Sequence, residues 1–150
     1  MVQDIIDQCE LDTKGIYTSV GTYNHKEFFQ LIDKLSDLNS LHKDDVLFSF
    51  GDYFLKVLVR SYPQFFIKKD VFEFLVSIDN YIHPTVLKIY QNKNEMKLIY
   101  HSSRKMSKFA SGMIIASGKY FKQELIVTEE ERIDDGEKVV LCIKCRIENE

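Results

Sequence analysis

No apolar run in this sequence approaches the roughly 18 residues that a membrane-spanning helix requires. The chain also does not open on the basic and apolar stretch of a secretion signal. The expectation is a soluble, cytoplasmic protein with no membrane partner. An excess of positive charge is missing too: 20 lysines and arginines against 23 acids leave a formal charge of -3, with both signs interspersed. A chain without a basic face offers little to a phosphate backbone, so nucleic acid is not expected as a partner. Cysteines are few and odd in number (Cys9, Cys142 and Cys145), which argues for reduced thiols rather than a secreted disulfide framework. Prolines are limited to Pro63 and Pro84, and each marks a break in the chain.

What is present suits one compact domain over residues 1–150. The length and the 45% apolar content are enough for a real core and too little for two comfortable domains. From "MVQDIIDQCE" to "VLKIY" the apolar spacing is helical, whereas strand-like alternation dominates from Glu95 onward, around one further helix. Asn24, with Glu27 three residues later, reads as a cap for "HKEFFQLIDKLSDL". The helix from about Lys43 to Arg60 is rich in aromatics (Phe48, Phe50, Tyr53, Phe54), and Gly51 within it permits close approach of another element. "SYPQFF" breaks that helix, and "DVFEFLVSIDNYI" forms the next. The fold class expected is α+β: a helical N-terminal part packed on a small antiparallel sheet. One helix, around Met106 to Phe121, crosses that sheet and packs closely through Gly112, Ala116 and Gly118.

Two stretches carry chemistry. In "NYIHPTVLKIY" the proline disfavours helix for His83 and restarts it at Pro84, which holds His83 at a corner beside Val86, Leu87 and Tyr90. His83 is then either a hydrogen-bonded core histidine or a neutral imidazole presented to a metal. In "YHSSRKM", residues two apart on a strand share a face, so Tyr100, Ser102 and Arg104 would direct two hydroxyls and a guanidinium at one anion. Taken singly, each is an ordinary strand or surface residue. Met96 and Leu98 continue the same face, as apolar contacts for a ligand or as core. A haem would use both stretches, because its iron accepts an axial histidine and its propionates call for convergent donors.

The motifs "GIYTSVGTY" (15–23), "FGDYF" (50–54), "SYPQFF" (61–66), "IHPTVLKIY" (82–90) and Y-x-S-x-R (100–104) occur in the order seen in the H-NOX family of haem nitric oxide/oxygen-binding domains, which this chain resembles. The resemblance implies haem b (iron protoporphyrin IX), with His83 as the proximal iron ligand and Tyr100, Ser102 and Arg104 clamping the propionates. It places Phe109 where oxygen-binding members carry a tyrosine donor. That implies a bacterial sensor of nitric oxide rather than oxygen, signalling to a histidine kinase or a cyclic-dinucleotide enzyme. Against the family pattern, an N-terminal helix over the distal side is expected to be missing and "YQNKNEMKLIY" is short. The alternative is therefore a haem-free protein-interaction module derived from an H-NOX domain. No nucleophile has a recognisable base beside it, so no enzyme activity is expected. "CIKC" has C-x-x-C spacing, but on a strand Cys142 and Cys145 would face opposite ways. "TEEERIDDGEK" reads as a charged hairpin turning at Asp135-Gly136.

Overall fold

The computed structural model describes residues 2–68, 70–81 and 87–146. Two compact units divide the chain between residues 47 and 48, inside the third helix. The first holds α1 (Val2–Asp7), α2 (His25–Asn39) and the opening of α3 (Lys43–Ser61), with Ile5, Leu11, Ile32, Val46 and Leu47 buried. Asn24 caps α2 as expected, its side chain accepting from the Lys26 N–H at 3.0 Å. Glu27 does not complete that cap. Its carboxylate turns to the preceding loop and accepts from the Thr13 hydroxyl (2.6 Å), the Thr13 N–H (3.2 Å) and the Tyr17 hydroxyl (2.8 Å). A buried carboxylate needs such partners, because removing a charge from water is costly unless hydrogen bonds replace it.

The second unit continues α3 into a 3-10 turn (Pro63–Phe66), then α4 (Val71–Tyr81), β1 (Leu87–Asn92), β2 (Glu95–His101), α5 (Ser107–Tyr120), β3 (Leu125–Ile133) and β4 (Lys138–Cys145). Two hairpins, β1–β2 and β3–β4, join through β2 and β4 into an antiparallel sheet of order β1-β2-β4-β3. Alternation does the sorting here: Met96 and Leu98 on β2 and Val139, Leu141 and Ile143 on β4 are buried on one face. Against them pack Ile114 and Ala116 of α5, Val71, Phe72, Phe74 and Leu75 of α4, Leu55 of α3, and Phe66.

Helices α3 and α5 cross at two glycines. A Cβ on Gly51 would lie 2.2 Å from the Phe109 carbonyl oxygen, and one on Gly112 would lie 2.1 Å from that of Phe48. Only hydrogen fits at either position, which is the close approach expected for Gly51; Gly112 packs on α3, where the sequence suggested the sheet.

The structure corrects one element. Leu87–Asn92, expected to continue a helix restarted at Pro84, is strand β1, paired from Leu87 opposite Ile99 to Asn92 opposite Glu95. The helical face proposed beside His83 therefore does not include Leu87 and Tyr90. The i, i+3 spacing of those two residues mimics a helix, but pairing with β2 decides the backbone. Asn92 closes the tight turn, its side chain accepting from the Asn94 N–H at 2.9 Å. The hairpin read in "TEEERIDDGEK" is present, with left-handed φ at Asp134, Asp135 and Gly136. Cys142 and Cys145 lie three apart on β4, one buried and one half-buried, and no metal-holding cluster occurs among the described residues.

Candidate functional site

Strand β2 delivers Tyr100 to the core face of the sheet, in line with Met96 and Leu98 and packed against the core cluster. It ends one residue later, at His101. Ser102 and Arg104 therefore do not continue a strand face, which corrects the expected alternation. A turn replaces it: the Arg104 N–H donates to the Ser102 Oγ (3.3 Å) and the Lys105 N–H to the Ser102 carbonyl (2.9 Å), with Lys105 at φ 54°. This serine-centred turn ends the extended run that the sheet would otherwise continue. The three groups thus sit on the end of β2 and the turn that follows it.

The electrostatics of the group fit that placement. Burial pushes the Tyr100 phenol above its ordinary value of 10.0, opposed by the Ser102 hydroxyl and the Arg104 guanidinium. Tyr100 consequently stays protonated and able to donate at neutral pH. Arg104 is exposed, and no carboxylate among the described residues pairs with it. Other cations of this unit differ: Lys105 meets Asp135 at 2.6 Å, Arg132 meets Glu129, and Arg146 meets Glu124 at 2.7 Å. A second tie holds the turn from the far side, where the Ser102 N–H donates to the Glu137 carbonyl at 2.7 Å. The hairpin turn after β3 thus props the Ser102–Lys105 turn, a support not visible in the sequence because it joins residues more than thirty apart.

Phe109 sits in the first turns of α5, with ring centroids 5.3 Å from Phe50 and 5.7 Å from Phe54 of α3. Phe50 and Phe54, themselves 5.9 Å apart, are the site partners that the sequence reading did not assign. Their i, i+4 spacing on an aromatic-rich helix was the available signal. His83 lies outside the described residues, as does the proline after it.

A guanidinium without a counter-ion among the described residues, in the same short segment as two hydroxyls, suits a ligand carrying carboxylates, and the phenylalanine trio suits a flat apolar body. The residues present thus fit both ends of a haem, with Tyr100, Ser102 and Arg104 as the groups that would hold its carboxylates.

The fold is an α+β domain with Tyr100 at the end of a central strand, a serine-centred turn after it and an aromatic cluster on the crossing helices. The chain matches the haem-NO-binding family over residues 1–129. It superimposes on the Fe(II) unliganded H-NOX protein from K. algicida with a TM-score of 0.90 and 32% identity, covering 98% of this chain and 86% of that one. It also superimposes on the H-NOX from Shewanella woodyi in its Fe(II)CO state (TM-score 0.80, 29% identity, 95% and 83% covered). An H-NOX protein from S. oneidensis in the Fe(II)NO state shares the fold (TM-score 0.87, 17% identity, 97% and 89% covered). The chain belongs to the H-NOX family of haem-containing, gas-binding sensor domains. No curated protein is matched by the sequence. Among the described residues, no helix is long and apolar enough to cross a membrane.

Proposed function

We propose that residues 1–150 form one H-NOX domain that acts as a cytoplasmic sensor of nitric oxide and uses haem b, with His83 as the protein ligand to iron. The carrying observation is the turn that follows Tyr100 at the end of β2, where the Arg104 N–H donates to the Ser102 Oγ and the Arg104 side chain has no carboxylate partner among the described residues. Haem, when bound, supplies an iron that takes up a diatomic gas. The chain's own part is to hold and to discriminate. Tyr100, Ser102 and Arg104 donate to the propionates and so fix the group's orientation against the sheet. Phe109, with Phe50 and Phe54 around it, offers no O–H or N–H. Oxygen on ferrous haem gains partial negative charge and is retained by a donor, whereas nitric oxide needs none, so this cluster favours nitric oxide. A change in the His83 bond would displace α4, which ends two residues before it. That displacement is what a histidine kinase or a cyclic-dinucleotide enzyme would read.

Reconstitution with haem tests the reading. The protein is expected to show a Soret band, and His83→Gly is expected to lose most of it and regain it with added imidazole. Retention unchanged in His83→Gly would move ligation to another residue. A protein that takes up no haem at all would leave the interaction-module alternative standing.

A further inference from the structure

Tyr62, Phe65, Ile67 and Tyr120 are between 41% and 79% exposed, a dense set of large apolar groups on one unit. They surround buried Phe66: Phe65 and Ile67 flank it in the chain, Tyr62 lies 6.4 Å from Phe65, and the Tyr120 ring meets Phe66 edge-on at 5.5 Å. The rim is cationic. Arg60, Lys68 and Lys122 are exposed, and no carboxylate among the described residues pairs with any of them. Lys56 and Lys119 share Asp52, at 2.7 and 2.8 Å, and hold its carboxyl below the usual range. The next acid, Asp70, is taken up by capping α4 through the Glu73 N–H. A patch of this sign on a chain of net charge -3 is a local concentration of charge, not an average property.

Beneath the patch lies a closed set of rings. Phe66 stacks on Phe74 of α4 at 4.8 Å, Phe74 meets Phe121 at 5.4 Å, and Phe121 meets Tyr120 at 5.0 Å. A shift of α4 therefore moves Phe74 against both halves of the exposed surface, because packed rings cannot deform continuously.

We infer that this patch is the output surface of the sensor, and that its occupant is an acidic helix with an apolar face on a separate signalling protein. The inference rests on the proposed gas-sensing role for its switching and on charge complementarity for its partner. Tyrosine, phenylalanine and arginine are the residue types that anchor protein interfaces. A helix can place its acids over Arg60, Lys68 and Lys122 while its apolar face covers Phe65 and Ile67.

The probe is a labelled synthetic helix with leucines on one face and glutamates on the other, titrated against haem-loaded protein. Binding is expected to weaken with salt, to vanish when lysines replace the glutamates, and to fall roughly tenfold or more in the exposed triple variant Phe65→Ser/Ile67→Ser/Lys68→Glu. Ile126→Ser, on strand β3, is the control that should change nothing. Equal affinity in the triple variant would overturn the surface, as would patch-dependent binding to phosphatidylserine vesicles without binding to the peptide. Peptide affinity identical in the unliganded ferrous and nitric-oxide-loaded states would overturn its role as output. The Soret band separates the two readings. Lost peptide binding with the band intact removes only the surface, and patch-dependent binding by a protein that takes up no haem removes only the gas sensor.

Discussion

At the scale of single residues, the clamp ranks its own members. Charged hydrogen bonds contribute about 1.5–3 kcal/mol against about 0.5–1.5 for neutral ones, so Arg104→Ala should weaken haem binding about tenfold more than Ser102→Ala. Transfer of haem to a competing apoprotein measures that order, and the reverse order would transfer the principal role to the serine. Arg104 was legible in the Y-x-S-x-R spacing, but its placement was not, because the turn depends on a backbone-to-hydroxyl bond and on the distant Glu137 carbonyl. Cys142 shows the other side of local chemistry. Burial, with Glu95 accepting from its thiol at 3.2 Å, pushes it up to about 11, so at pH 8 it should resist alkylating reagents that modify Cys9 and Cys145. Mass mapping before and after unfolding reads this directly. Glu27 gives a pH dependence. The Thr13 hydroxyl first, then Tyr17, hold its carboxyl below the ordinary 4.5, against burial. A carboxylate depressed in the folded state stabilises above about pH 4.5 and loses that contribution as pH falls through the lower folded value. Denaturant midpoints taken across that window should slope more steeply in the native chain than in Glu27→Gln.

Among the elements, the α3–α5 crossing is the least forgiving. At Gly51 an alanine Cβ would meet backbone, not a pliable side chain, so one helix must move. Overpacking of this kind costs about 1–3 kcal/mol, and Gly51→Ala should lower the denaturant midpoint while displacing Phe109 from Phe50 and Phe54. An unchanged midpoint would mean that the helices separate freely. A close approach at Gly51 was readable in advance, since glycine in the middle of a strong helix pattern has few other reasons to be there, but its partner, α5 at Phe109, was not. Strands β2, β3 and β4 were readable for a similar reason, each showing alternation or a turn signal. Strand β1 was not. Leu87–Asn92 is short, its apolar spacing suits either period, and what makes it a strand is Met96 to Ile99 across the hairpin, a partner that no local window contains.

For the whole molecule, gas selectivity is the property on which the proposed function is tested. With haem bound and the iron ferrous, spectra in air should show no lasting oxygen complex, and nitric oxide should still bind. A stable oxygen complex would reveal a donor near Phe109 beyond Phe50 and Phe54. Phe109→Tyr should move the protein toward oxygen retention. Sheet order adds a different consequence. Strand β2, which carries Tyr100, is laddered to β1 on one flank and β4 on the other, whereas β1 and β3 are the outer strands. Sliding β2 would break two ladders at once, so Tyr100 rests on a stationary bench and a gas-driven movement is expected in the helices packed on the sheet. Amide deuteration should respect that division: the backbone protons of β2 and β4 exchanging last, those of α4 changing pace with the gas, and those around Tyr100 keeping the same slow clock in both states.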